Sequence, residues 1–217
     1  ANIHGFKQLG ADAVISVSAV GSLREDIAPG QIVVPDQFID RTRGRRSTFF
    51  GDGVVAHISF ADPFCAVLSE LTAECAERAG ATVHRGGTYV CMEGPQFSTR
   101  AESHMYRSWG GDVIGMTNLQ EAKLAREAEM CFATLAMATD YDCWRDSEEA
   151  VDVDAILAIL SANAGLARTT VREAAASIVP ERACGCRTAL DNAVITAPDA
   201  IERSARDRLA VVAGRVL

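Results

Sequence analysis

No run among the 217 residues approaches the roughly 18 consecutive apolar positions that a membrane-spanning helix requires, so no membrane contact is expected. Residues 1–7 lack the basic-then-apolar layout of a secretory signal and are not expected to act as one. Positive charge is not in excess: the formal net charge is −8, which argues against a general nucleic-acid surface. Four arginines cluster at Arg41, Arg43, Arg45 and Arg46, and in an acidic chain so tight a cluster reads as a solvated loop. There is no even set of cysteines either. Seven are present, five of them scattered through apolar patterns, as in reduced thiols of a cytoplasmic protein. Cys184-Gly185-Cys186 is the exception, but a lone CxC is a weak metal signal, so a flexible tail with no metal is the expectation. Internal repeats and low-complexity tracts are absent.

What remains is an ordinary globular composition, 48% hydrophobic and 23% charged, long enough to bury a core without disulfides or metals. Residues 13–18 are short, β-branched and apolar, and run into the turn residues Ala19-Val20-Gly21-Ser22. Residues 31–35 form a second strand candidate, and 40–50 read as a loop. Asp62-Pro63 is expected to open a helix whose apolar face is Phe64, Val67, Leu68, Leu71 and Cys75, closed by Gly80. Residues 82–84 and 88–91 read as extended. Thr99 with Glu102, and Asn118 with Glu121, are capping-box signals for two further helices, the second running through Ala128. A continuous apolar strand follows from Cys131 to Ala138, and Asp152 is expected to cap a long helix. Strands alternate with helices, and several strands lack polar alternation. That pattern fits an α/β domain whose sheet is covered on both faces. After Pro180 the pattern decays, and residues 181–217 are expected to be a mobile extension.

Four segments carry candidate chemistry. In Ala138-Thr139-Asp140-Tyr141-Asp142 two carboxylates follow a buried strand at i and i+2, so they can face one side. The pair reads either as a solvated strand end or as a general acid, in which one carboxyl keeps its proton because the other stands beside it. Moving such a group from about 3.9 to about 7 takes on the order of 4 kcal/mol. Glu93-Gly94-Pro95-Gln96-Phe97-Ser98 is a rigid turn before a capped helix, with Phe97 either a core plug or a ring that stacks on a flat ligand. Gly115-Met116-Thr117 precedes a helix start, where a hydroxyl and free N–H groups either cap the helix or hold an anion. Ser18-Ala19-Val20-Gly21 is a small-residue strand end. His57 taken alone reads as structural.

The order of these segments, with Pro29-Gly30, residues 36–41, Glu121 and Asp142-Cys143-Trp144, closely resembles the methylthioadenosine-cleaving branch of the trimeric purine nucleoside phosphorylase family. The resemblance covers residues 1–175. It implies a mixed central β-sheet flanked by helices on both faces, in a domain over 1–178 followed by a C-terminal extension over 179–217. The implied reaction is phosphorolysis of 5′-methylthioadenosine to adenine and 5-methylthioribose 1-phosphate, with phosphate as co-substrate and no cofactor. By resemblance, Asp140 hydrogen-bonds or protonates purine N7, and Asp142 assists there or at the exocyclic amine. Phe97 would stack on the base, with Ser98, Ala19 and Gly115 in the base pocket. Met116 would sit against the ribose, and Ser18 and Thr117 would contact phosphate. His57 would reach a neighbouring subunit's site in a homotrimer, and Val153, Ile156 and Leu157 would line a methylthio pocket. Relatives that act on 6-oxopurines carry Glu at the Ser98 position and Asn at the Asp140 position, so both departures point to a 6-aminopurine.

The family also carries an upstream strand with a glycine-rich loop, and an Arg-His-Gly segment, both of which bind phosphate. Neither occurs in these 217 residues. The expectation is weak or absent phosphorolysis if they are the whole protein, and an active enzyme if they are a fragment. The competing expectations are a phosphorylase or nucleosidase for another purine nucleoside, and a non-catalytic relative that keeps only the adenine pocket.

Overall fold

The computed structural model describes residues 1–145 and 153–217. Their strands are β1 (Ala13–Ser22), β2 (Ile32–Val34), β3 (Gln37–Arg41), β4 (Val83–Arg85), β5 (Thr88–Met92), β6 (Val113–Gly115) and β7 (Cys131–Asp140). Their helices are α1 (Asn2–Gln8), α2 (Ala66–Arg78), α3 (Arg100–Ser108), α4 (Leu119–Glu127), α5 (Val153–Ser177) and α6 (Arg203–Ala213). The strands form one mixed sheet in the order β3-β5-β6-β1-β7-β2-β4. β7 runs parallel to β1 and antiparallel to β2, while β1 meets β6 antiparallel.

The apolar run of β7 makes it the spine. Its first nine residues are buried, because both of its faces are covered. Leu135 and Met137 point to one side, where they meet Ala73 and Ala76 of α2 and Ala167 of α5. Phe132 points to the other, against Ile3 of α1 and Ala122 and Ala125 of α4. The period of two thus sorts one apolar strand between two helical layers.

Several boundaries differ from the sequence reading. β1 does not turn after Ser18. It continues to Ser22 because Gly21 and Ser22 pair with Ile114 and Val113 of β6. Asp40 and Arg41 close β3 rather than open a loop, since they pair with Cys91 and Met92. α2 starts at Ala66, not at Asp62-Pro63, because the Cys65 sulfur accepts from the Leu68 N–H at 3.5 Å and serves as its cap. The capping box at Thr99 forms as expected. The one at Asn118 does not: the Asn118 side chain turns into the core and accepts from the Thr134 hydroxyl at 3.0 Å. Asp152 lies outside the described residues.

The expectation of a mobile extension over residues 181–217 is corrected. Leu190, Ala193, Ile201, Ala205 and Leu209 are buried against Phe50 and Val54. Val212 joins the cluster of Ile3, Phe64 and Phe132. Arg215 pairs with the buried Glu129, whose Oε1 also accepts from the Leu190 N–H at 3.0 Å. The sequence missed this because short 3₁₀ turns break the helical period between Pro180 and α6. Leu209→Ala should cost about 2–5 kcal/mol, read as a drop in the thermal unfolding midpoint. A loss below about 1 kcal/mol would mean that the segment is not docked.

Candidate functional site

A cavity of about 320 Å³ opens where β1 and β7 end, the usual place for a ligand in an α/β sheet. It follows β1 from Val17 to Gly21. Gly115, Met116 and Thr117 flank it on one side, and Thr139, Asp140 and Asp142 close its far end. Of the residues assigned by resemblance, Ser18, Ala19, Phe97, Gly115, Met116, Thr117, Asp140 and Asp142 all line it.

One end is built of hydroxyls. Continuing the antiparallel register of Gly21 with Ile114 brings Thr117 opposite Ser18. Their side-chain oxygens are 2.9 Å apart, and the Tyr89 hydroxyl lies 3.2 Å from Ser18 Oγ. Tyr89 is fully buried, and burial pushes its phenol further up. Gly115 is required here, because a Cβ at that position would stand 2.0 Å from the Tyr89 oxygen. Thr117 is therefore not a plain helix cap; Asn118 occupies that position.

Arg45 ties this wall together. Its guanidinium donates to the carbonyls of Met116 at 2.7 Å, Met92 at 3.2 Å and Glu93 at 2.6 Å, and to Gln120 Oε1 at 3.1 Å. It also pairs with the Glu93 carboxylate at 3.0 Å. The reading of the arginine cluster as a solvated loop fails for this member. Nothing in the local sequence separates Arg45 from Arg43 or Arg46, because its partners are 47 to 75 positions away. Tyr89 was missed for the same reason.

The other end is acidic. β7 carries one extra residue against β1, since Val20 pairs with Ala138 and Gly21 with Asp140. This bulge at Thr139 re-aims the following side chain. Asp140 then accepts from the Thr139 hydroxyl and from the Asp142 N–H, both at 2.7 Å. Gly21 leaves room for the pair: a Cβ there would meet Asp140 Oδ1 at 3.1 Å and Asp142 Cβ at 3.3 Å. Asp142 is 9% exposed, and its Oδ2 is buried with no hydrogen-bond partner among the described residues. Burial pushes its carboxyl above the ordinary carboxylate range; the neighbouring Asp140 adds to the shift, and the hydroxyls of Ser103 and Ser98 restrain it. The register places this end three residues along β1 from Ser18, about 10 Å away.

Phe97 is 54% exposed, so it is a ring open to the cavity and not a core plug. Ser98 does not line the cavity. It is buried behind it, with its hydroxyl 3.7 Å from the Met92 sulfur. His57 and Leu157 are exposed and away from the lining. The side chains of Val153 and Ile156 lie outside the described residues. Four cysteines that converge elsewhere in the fold are the one group with metal-ligand spacing among the described residues, and none of them lines the cavity.

Residues 1–176 match the family described as the phosphorylase superfamily. The S-methyl-5′-thioadenosine phosphorylase of Geobacter sulfurreducens is 60% identical over 99% of this chain and 75% of its own length. That of Koribacter versatilis is 56% identical over 99% of this chain and 74% of its own. Among solved structures, a methylthioadenosine phosphorylase from an Antarctic soil metagenomic library superposes with a TM-score of 0.92. It is 48% identical, and the match covers 98% of this chain and 75% of that one.

The buried carboxyl has a measurable consequence. A raised carboxyl is held more tightly by its proton in the folded chain than in the unfolded one. Stability therefore falls as pH rises from the ordinary carboxylate value through the raised one, and stays lower above it. Asp142→Asn should melt above wild type at neutral pH, with the difference shrinking as pH falls through the raised value to the ordinary carboxylate one. Equal or lower melting of the variant at neutral pH would show that the carboxylate is not strained.

Proposed function

The chain belongs to the phosphorylase superfamily, and from that premise we propose that it cleaves 5′-methylthioadenosine with phosphate, giving adenine and 5-methylthioribose 1-phosphate. The observation that carries the reading is a single cavity with paired hydroxyls at one end and a carboxyl pair about 10 Å away. That is the layout needed to hold an anion and a purine on either side of a ribosyl carbon.

Phosphate sits at Ser18 and Thr117, whose hydroxyls donate to it. A phosphate oxygen forms the new bond to C1′ as the C1′–N9 bond breaks, and the bonding electrons pass into the purine. The Asp140–Asp142 pair acts as one acid at N7, its two carboxyls held together where the Asp142 N–H donates to Asp140. A desolvated Asp142 favours a retained proton, and Asp140, oriented by Thr139, faces the base. A carboxylate also accepts from a 6-amino group, which selects adenine over 6-oxopurines. Phe97 stacks on the base and Met116 abuts the ribose. Ser98, behind the wall, tunes Asp142. Phosphate is the co-substrate and no cofactor takes part.

His57, Val153, Ile156 and Leu157 form the subsite for the 5′ substituent, with His57 supplied by a neighbouring copy in a homotrimer. Two features support this: His57 is exposed away from its own cavity, and the exposed Leu157 has an apolar side chain to bury. Among the described residues no helix is long and apolar enough to cross a membrane. Seven free thiols fit a reducing compartment, the cytoplasm. We assign no nucleic-acid role.

The purified protein should release adenine from methylthioadenosine only when phosphate is added, and Asp140→Ala should abolish turnover while leaving the melting curve intact. Release without phosphate would point instead to hydrolysis, and an active, folded Asp140→Ala would remove that residue from the mechanism. His57→Ala should raise KM for methylthioadenosine more than KM for adenosine. Equal effects on the two substrates would sink the role given to His57.

A further inference from the structure

At the opposite end of β7 from the cavity, three elements bring four thiols together. Cys65 caps α2, Cys131 begins β7, and Cys184 and Cys186 stand on either side of Gly185 in the C-terminal segment. Their four sulfur atoms all lie within 4.8 Å of one another, and the Cys131 and Cys184 sulfurs are 3.6 Å apart. A metal held by four thiolates at about 2.3 Å in a tetrahedron requires sulfurs about 3.8 Å apart. The cluster meets that spacing with small side-chain movements.

We propose that Cys65, Cys131, Cys184 and Cys186 form a tetrathiolate site for one thiophilic divalent cation, zinc being the fit of choice. This departs from the sequence expectation of a flexible CxC tail with no metal, and it stands independently of the reaction at the cavity.

The surroundings suit thiolates. Cys65 lies at a helix N-terminus and accepts the Leu68 N–H, which favours negative charge on its sulfur. The Arg182 side chain is 4% exposed, and its guanidinium, two residues before Cys184, pairs with Asp12 at 2.8 Å. Its Nε–H is buried without a partner among the described residues, a donor aimed at serving the sulfur shell. Cys65, Cys131 and Cys186 are buried, which keeps water out, while Cys184 is half-exposed and gives a path of entry.

The chemistry balances simply. The cation forms four bonds to sulfur, each thiol gives its proton to solvent, and Arg182 offsets part of the residual charge of the thiolate complex. The site would fasten the segment after Pro180 to the start of the central strand. Unlike a site made from neighbouring residues, it exists only in the folded chain, so binding is coupled to folding.

The test uses the whole protein, stripped of metal by chelator under reductant and titrated with cobalt(II) alone. One equivalent per chain should develop the intense thiolate-to-cobalt charge-transfer bands and tetrahedral d–d absorption, and zinc(II) should erase them. Zinc should also raise the thermal midpoint. Cys186→Ser and the half-exposed Cys184→Ser should each weaken binding by more than the roughly tenfold that an outer-shell partner is worth. Cys75→Ser, a buried cysteine outside the cluster, should leave binding unchanged. Absence of the cobalt–thiolate bands in the wild-type protein overturns the site, whatever the variants do. So does unchanged affinity in both serine variants. Mass spectrometry that finds only disulfides among these four cysteines, in a protein that takes up no metal once reduced, also overturns it.

Discussion

The parallel pairing of β1 with β7 is the constraint on which the rest depends. It holds from Ala13 with Cys131 to Val20 with Ala138, then slips by one residue. The uninterrupted part gives the sheet its buried spine. The slip converts the spine's end into a site, because the extra residue Thr139 drops out of the pairing, shifts Asp140 opposite Gly21 and gives its carboxylate a hydroxyl to hold. A regular ladder would leave Asp140 pointing by alternation alone, without the Thr139 oxygen to orient it.

The same junction shows the cost of a working site. Asp142 is buried beside another carboxylate, with one oxygen unpartnered among the described residues, an arrangement that detracts from stability. The structure offsets it nearby. Arg45 satisfies three wall carbonyls with one side chain, and the Trp144 indole anchors the turn after Asp142 by donating to the Ser22 carbonyl at 2.8 Å. These contacts do no chemistry, yet they keep the carboxyl pair and the hydroxyl pair at a fixed separation.

The C-terminal segment belongs to the same construction. Its apolar residues cover Phe50 and Val54, Arg215 neutralises the buried Glu129, and its CxC reaches the beginning of β7. The central strand is thus fastened at both ends, by the cysteine cluster at its start and by the carboxylate junction at its finish.

Much of this was legible in the sequence, and the dividing line is physical. Strands and helices with a strong local period were legible, as were the Thr99 capping box and the ordered motifs that carry the family resemblance, because each depends on residues close together in the chain. Eight of the assigned residues meet in one cavity for that reason: the motifs lie at strand ends, and strand ends converge. Local patterns in the chain suffice for the kind of fold and the kind of chemistry. The folded arrangement alone shows that Asn118 turns inward, that Arg45 is a brace, that Tyr89 backs Ser18, that the tail is docked and that four cysteines meet. These are contacts between residues far apart in the chain, and no local pattern records where a chain will return upon itself.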